Sequence, residues 1–121
     1  MQVAQKNFYK KLLGRVGEKT AVGYLKKKGY KILERNCKNP FGEVDIVAED
    51  NEYTVFIEVK TRTTEDFGTG SEAVDFRRQQ RYIRAAKFYL SQKGKTETPV
   101  RFDVIEIKDG EINHIINAFC C

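Results

Sequence analysis

Gly42-Glu43-Val44-Asp45-Ile46-Val47-Ala48-Glu49-Asp50-Asn51-Glu52-Tyr53-Thr54-Val55-Phe56-Ile57-Glu58-Val59-Lys60-Thr61 is the stretch that decides the reading of this chain. It holds two strand-like runs, Glu43 to Glu49 and Tyr53 to Thr61, separated by Asp50-Asn51-Glu52. The tightest hairpin it permits turns between Asn51 and Glu52. Val44 then opposes Val59, Ile46 opposes Ile57 and Ala48 opposes Val55, six apolar residues that share one face by the period-two alternation of a strand. On the other face Asp45 opposes Glu58, Glu43 opposes Lys60 and Val47 opposes Phe56. Directly opposed residues hold their Cβ atoms ~4.5–5.5 Å apart. Two carboxylates that close raise one another's pKa unless a cation lies between them. Mg²⁺ takes oxygen ligands and keeps several waters, so a carboxylate pair with a phosphate oxygen suits it. Lys60, one pleat from Glu58, is placed to orient an attacking water or to stabilise charge on a phosphate. A charged hairpin face is ordinarily just solvated. Here Val47 and Phe56 imply that this face is partly covered as well, so its charges need partners.

Upstream, roughly Lys6 to Lys28 reads as a helix. Leu12, Leu13, Val16, Ala21, Val22 and Leu25 recur at three-to-four spacing, and Gly29 is a natural stop. Gly14 and Gly17 weaken its middle and allow a break there. Glu18 lies on the apolar stripe, where it needs a metal or a basic group, or else snorkels to solvent or caps. Tyr30 to Cys37 reads as a strand, followed by a turn at Asn39-Pro40-Phe41-Gly42. Downstream, Thr63 to Gly70 reads as a polar loop able to act as a flap, and Glu72 to Lys93 as a second helix ended by Gly94. Val100 to Lys108 and Glu111 to Ala118 form a hairpin around Asp109-Gly110, a strong two-residue turn signal. The order helix, three strands, helix, two strands predicts a mixed α/β domain with a central sheet and helices packed on it.

A chain of 121 residues supports one core, not two. It has no run of about 18 apolar residues, and its start is Lys-rich and amphipathic, so neither a membrane span nor a secretory leader is expected. Three cysteines, Cys37, Cys120 and Cys121, and a single histidine, His114, argue against structural zinc, a disulfide scaffold and a His-based triad. Free thiols fit the reducing cytoplasm, the expected location. A net charge of +5 is consistent with a polyanionic partner without establishing one.

Together, Glu18, Gly42-Glu43-Val44-Asp45-Ile46-Val47 and Phe56-Ile57-Glu58-Val59-Lys60-Thr61-Arg62 resemble the PD-(D/E)XK nuclease signature. More narrowly they resemble the YraN-like family of small bacterial predicted endonucleases. With Gly17-Glu18, Ala73-Val74, Arg78-Gln79 and Arg101-Phe102-Asp103-Val104, the resemblance covers nearly the whole chain. It implies a restriction-endonuclease-like α/β core as a single nuclease domain over residues 1–121. It also implies a phosphodiesterase site using Mg²⁺ or Mn²⁺. In that resemblance Asp45 and Glu58 match the metal-binding acids, Lys60 the catalytic lysine and Glu18 a further helix-borne acid at the metal. Gln79 matches a polar residue that some relatives place beside the active site; a buried amide serving the backbone is the other reading. The proline that often precedes the first acid is absent, Val44 standing there instead.

Arg77, Arg78, Arg81 and Arg84 on the second helix, with Tyr82 and Lys87 nearby, could contact phosphates or form an ordinary solvated surface. Lys10-Lys11 and Lys26-Lys27-Lys28 carry the same ambiguity. Arg62 follows the catalytic strand and is expected near the scissile phosphate. No base-reading motif is visible, which favours recognition by nucleic-acid shape or branching. The expectation is metal-dependent cleavage of DNA, with branched or single-stranded DNA as candidate substrates, no membrane partner, and a homodimer if two strands are cut. Two rivals stand beside it: a non-catalytic nucleic-acid-binding or adaptor protein that keeps the fold, and a structural partner in a larger complex.

Overall fold

In the computed structural model, residues 2–62 and 76–120 are described, with side chains of the first helix from residue 12 onward. The elements are α1 (Gln2–Lys27), β1 (Lys31–Asn39), β2 (Gly42–Asp50), β3 (Tyr53–Arg62), α2 (Phe76–Gln92), β4 (Val100–Lys108) and β5 (Glu111–Phe119). This is the predicted order, with strand ends moved by one or two residues. The predicted loop Thr63–Gly70 and the Ala73-Val74 pair lie outside the described residues. No helix is long and apolar enough to cross a membrane among the described residues.

The strands form one five-stranded sheet in the order β1-β2-β3-β4-β5. All neighbours are antiparallel except β3 and β4, which run parallel from Thr54↔Val100 to Arg62↔Lys108. A parallel pair needs a crossover, and α2 lies between them in sequence. The sheet has an α-helix on each face, the arrangement that the restriction-endonuclease-like core requires.

Alternation along the central strands separates two cores. Ile46, Ala48, Val55, Ile57, Ile105 and Ile107 bury against Ala21, Val22 and Leu25 of α1. Val47, Phe56 and Phe102 bury against Tyr82, Ile83, Ala86, Tyr89 and Leu90 of α2, at helical three-to-four spacing. Each such aliphatic or aromatic side chain contributes about 1.5–3 kcal/mol when fully buried. Phe56 and Phe102 stack with ring centroids 5.7 Å apart, and Phe102 stacks in turn on Phe119 at 4.9 Å.

Both helices stop where glycine was expected to stop them. At α1 the Tyr30 amide donates to the Leu25 carbonyl and the Gly29 amide to Lys26, with Gly29 at φ 93°. At α2 the Lys95 amide donates to Leu90 and the Gly94 amide to Ser91. These are paired bonds of the Schellman type, which use a left-handed residue to satisfy the last carbonyls. The β4–β5 turn places Asp109 and Gly110 at φ 51° and 80°, the double positive φ of a type I′ hairpin.

Two helix expectations change. The helix does not break at Gly14 or Gly17. Gly17 is instead where α1 crosses Thr61 of β3, and a Cβ there would run into the Thr61 hydroxyl. The apolar stripe is also buried only over its second half: Leu12 is 48% and Val16 56% exposed, whereas Ala21 and Leu25 are fully buried.

Candidate active site

The β2–β3 register matches the expected hairpin from Asp50↔Tyr53 to Ile46↔Ile57, and there the ladder stops. Beyond that point β2 stays with β1 as far as Asn39↔Gly42, while β3 stays with β4 as far as Arg62↔Lys108. The two strands fork. The expected pairings Val44–Val59, Asp45–Glu58 and Glu43–Lys60 are therefore not ladder pairs, and Asp45 and Glu58 stand on opposite prongs. Alternation breaks at the same place. Val44 packs in the α2 core beside Val47, whereas Val59 lies against the α1 core, so the six apolar residues do not all share a face.

Side chains hold the fork. The Val59 amide, without a β2 carbonyl to meet, donates to Asp45 Oδ2 at 2.8 Å. The Asp45 backbone shares a hydrogen bond with the hydroxyl of Tyr82, a residue of α2 that is only 7% exposed. Across from Asp45 on β1, Asn36 adopts φ 51° between the paired residues Arg35 and Cys37. Local irregularities of this kind re-aim side chains next to active sites.

The electrostatics of the fork are those of crowded acids. Burial pushes the Asp45 carboxyl up to about 7; the Val59 amide counteracts this, while Glu18, Glu58 and Glu43 add to it. Burial likewise raises Glu18, against the nearby Arg35 and a hydrogen bond from Asn36, and Glu43 raises it further. Glu18 thus reaches the acid cluster from α1. Glu58 is 2% exposed. Its Oε1 is 2.8 Å from Arg78 and 3.4 Å from Lys60.

Among the described residues, two buried carboxylate oxygens, Glu18 Oε1 and Glu58 Oε2, have no hydrogen-bond partner. A buried carboxylate left so is costly unless a cation completes it. Among the described residues no three His, Cys, Asp or Glu side chains are gathered closely enough to hold a metal ion by themselves. The donors on offer are carboxylate oxygens, hard ligands of the kind that Mg²⁺ or Mn²⁺ takes together with water.

Two clefts flank the acids. One, of about 200 Å³, is lined by Gly42, Glu43, Arg78, Arg81 and Tyr82. The other, of about 390 Å³, is lined by Gly14, Arg15, Glu18, Asn36, Lys38 and Glu43. Glu43 is common to both. Of the expected residues, Asp45, Glu58, Lys60, Glu18 and Arg78 thus meet at the fork, and Arg81 lines one cleft. Gln79 is half-buried on α2, and Arg77 is exposed on its first turn. Arg62, at the end of β3, faces Glu106 of β4 at 3.7 Å.

Three features escaped the sequence reading. Tyr82 was grouped with a basic surface, yet it is buried against Asp45. Its signal is its spacing from Ile83, Ala86 and Leu90, which places it on the inward edge of α2. Arg78, readable from the sequence as a phosphate contact or as solvated surface, pairs with Glu58, a contact no spacing could announce. The third is a buried network at the far end of the sheet. Arg101 donates to both oxygens of Asp103 at 2.9 Å, to Asp50 at 2.9 Å and to the Tyr30 hydroxyl at 2.6 Å. His114 Nε2 lies 2.7 Å from Asp103 Oδ2, and its Nδ1 lies 3.1 Å from the Tyr24 hydroxyl. An ionised carboxylate only accepts, so Nε2 carries the proton toward Asp103.

Residues 17–107 match a family described as Uncharacterised protein family UPF0102. A UPF0102 protein of Thermodesulfovibrio yellowstonii is 51% identical over 107 residues, covering 88% of this chain and 95% of its own length. One of Caldanaerobacter subterraneus subsp. tengcongensis is 46% identical over 121 residues, with 94% and 99% covered. A third, of Clostridioides difficile, is 44% identical over 108 residues, with 88% and 95% covered. The match spans α1 from Gly17 through most of β4, so the fork, α2 and the part of α1 that carries Glu18 fall within it. The chain belongs to the UPF0102 family, the YraN-like group that its sequence resembles.

Proposed function

We propose that the protein is a divalent-metal-dependent endonuclease that hydrolyses DNA phosphodiester bonds as a single nuclease domain, acting in the cytoplasm. The observation that carries the reading is the fork itself. Two carboxylates stand on the diverging strands, Glu58 has a buried Oε2 without a hydrogen-bond partner among the described residues, and Lys60, two residues along the same strand, stands 3.4 Å from its other oxygen, Oε1. Asp45 and Glu58 would hold Mg²⁺ or Mn²⁺, with Glu18 adding a third negative charge from α1. Such an ion supplies Lewis acidity toward a phosphate oxygen and lowers the pKa of bound water. Lys60 would orient the attacking water and offset charge that builds on the phosphate. Arg62, Arg78, Arg81 and Arg77 would meet neighbouring phosphates, and Gln79 would stand behind them on α2. Branched and single-stranded DNA are the substrates to try first, and a homodimer is the assembly that cutting two strands would call for.

The test is a cleavage assay of the purified protein on linear, nicked, branched and single-stranded DNA with Mg²⁺ or Mn²⁺. Asp45→Ala and Lys60→Ala should each abolish cleavage while circular dichroism stays unchanged. Undiminished cleavage in both variants would sink the reading. One observation favours the non-catalytic rival: Arg78 and Lys60 both pair with Glu58 Oε1, so the protein's own cations can meet that charge. That rival predicts metal-independent DNA binding and no turnover with any divalent ion.

A further inference from the structure

We propose that Arg78 is an exchangeable cation. It neutralises Glu58 while the acid site is free of metal, and it passes to a substrate phosphate when metal takes the carboxylate. The proposal rests on reading Asp45 and Glu58 as a metal-binding pair. It carries that reading further by coupling the binding of metal to the binding of the polyanion.

Three observations converge on it. Arg78 makes the shortest contact to Glu58, 2.8 Å to Oε1 against 3.4 Å for Lys60. The two cations are held differently. The Lys60 side chain is 12% exposed at the end of the central strand, whereas that of Arg78 is 47% exposed in the opening turns of α2. For the half-exposed guanidinium water replaces what it loses, while the buried Glu58 it leaves needs the metal ion in its place. Arg78 also lines the cleft of about 200 Å³ with Arg81 and Tyr82. One swing of the side chain therefore moves its charge from the carboxylate to a cleft where a second arginine already waits. A planar guanidinium suits both partners, since it matches a carboxylate and a phosphate with the same fork of donors.

Removing Arg78 should then act in opposite directions on the two ligands. Without DNA, Arg78→Gln frees Glu58 and should tighten Mn²⁺ binding by about fivefold to tenfold, the lower end of the usual range for such a coupling. DNA binding should behave conditionally. With EDTA, where Arg78 is occupied by Glu58, the variant should bind a phosphorothioate oligonucleotide like the wild type. With Mn²⁺ it should bind several-fold more weakly. Arg81→Gln removes the same charge one helical turn away and controls for general electrostatic relief, and should leave the Mn²⁺ isotherm within about twofold.

The experiment is isothermal titration of Mn²⁺ into the intact wild-type, Arg78→Gln, Arg81→Gln and Asp45→Asn proteins. It is paired with fluorescence anisotropy of the uncleaved phosphorothioate strand in EDTA and in Mn²⁺. Tighter Mn²⁺ binding in Arg78→Gln alone, with DNA weakened only in Mn²⁺, supports the exchange. Unchanged or weaker Mn²⁺ binding in Arg78→Gln, while Asp45→Asn abolishes it, overturns the exchange and leaves the metal site standing. Mn²⁺ binding that survives Asp45→Asn overturns the metal-site reading itself.

Discussion

The Val59 amide donates to Asp45 Oδ2 across 2.8 Å at the point where β2 and β3 part. An acid on one strand thus replaces the backbone partner that the other strand has lost. One group closes the end of the hairpin and presents a second oxygen to the gap.

This double duty has a pH signature. The Asp45 carboxyl lies at about 7 in the folded protein against an ordinary 3.8, chiefly through burial. The folded state therefore holds a proton that the unfolded chain releases. Its contribution to stability is full below the unfolded value and is lost as pH rises through the folded value. The metal-free wild type should lose about 2–4 kcal/mol between pH 4 and pH 8 from this group alone, at about 1.4 kcal/mol per unit. Asp45→Asn removes the titration while keeping an acceptor for the Val59 amide. Urea melts across that range, in EDTA, should show the variant gaining on the wild type as pH rises. Parallel pH profiles would refute it.

Gly17 and Gly14 look alike in the sequence and differ in the structure. A Cβ at Gly17 meets the Thr61 side chain, while one at Gly14 meets nothing within 4 Å among the described residues. Gly14→Ala should therefore stabilise by about 0.5–1 kcal/mol through helix propensity. Gly17→Ala should destabilise by about 1–3 kcal/mol, because the Thr61 hydroxyl must leave its rotamer or α1 must lift from the sheet. Thr61→Ala clears the hydroxyl, so the Gly17→Ala/Thr61→Ala double variant should recover part of the loss, an interaction visible in a double-mutant cycle. Equal effects at the two glycines would show that only propensity matters.

What could be read in the chain, and what could not, divides along range of interaction. The register from Asp50↔Tyr53 to Ile46↔Ile57 follows from apolar pairing and the Asn51 turn, both local. The glycine stops at Gly29 and Gly94 and the type I′ turn at Asp109-Gly110 are local as well. The fork is not, because it arises from competition. Past Ile46, β2 keeps β1 and β3 keeps β4, and nothing within the hairpin itself weighs those outer pairings. For the same reason Asp45, Glu58 and Lys60 could be named from their alternation, but Arg78 on Glu58 and Tyr82 on Asp45 depend on where α2 docks. The exposure of Leu12 and Val16 is a matter of length. A helix of 26 residues extends about 39 Å, farther than its contact with the sheet requires.

The Arg101–Asp103 network makes the opposite pH prediction to Asp45. Burial raises the Asp103 pKa, but hydrogen bonds from His114, Arg101 and the Asn117 amide outweigh it, and the net effect is a lowered value. A lowered carboxyl stabilises fully above its unfolded value of about 4 and loses that contribution as pH falls through the folded one. Acid should therefore weaken the far end of the sheet below about pH 4, under the range in which Asp45 strengthens the fork. Asp103→Ala leaves Arg101 part-buried beside Asp50 with two of its four side-chain hydrogen bonds cut, which should cost about 3–5 kcal/mol. Arg101→Met/Asp103→Leu, which removes both charges, should cost markedly less than the sum of the single changes. Additive losses in thermal or urea melts would show that the two groups do not act as a unit.

The basic residues should separate by position along the sheet. Arg81 lines the cleft beside the acids. Lys26 lies eight residues beyond Glu18 on α1, about 12 Å along the helix axis, near the Lys31↔Glu49 end of the sheet. A phosphate contact contributes about 0.9 to the slope of log K against log salt on duplex DNA and about 0.7 on single strands. Arg81→Gln should lower that slope by about this amount and weaken binding of all sequences alike, since phosphate contacts position without reading bases. Lys26→Gln removes the same charge from the wrong end and should leave the slope unchanged. Filter binding or anisotropy between about 50 and 200 mM salt resolves a change of this size. Equal slopes for the two variants would mean that net charge, and not the cleft beside Glu58, holds the nucleic acid.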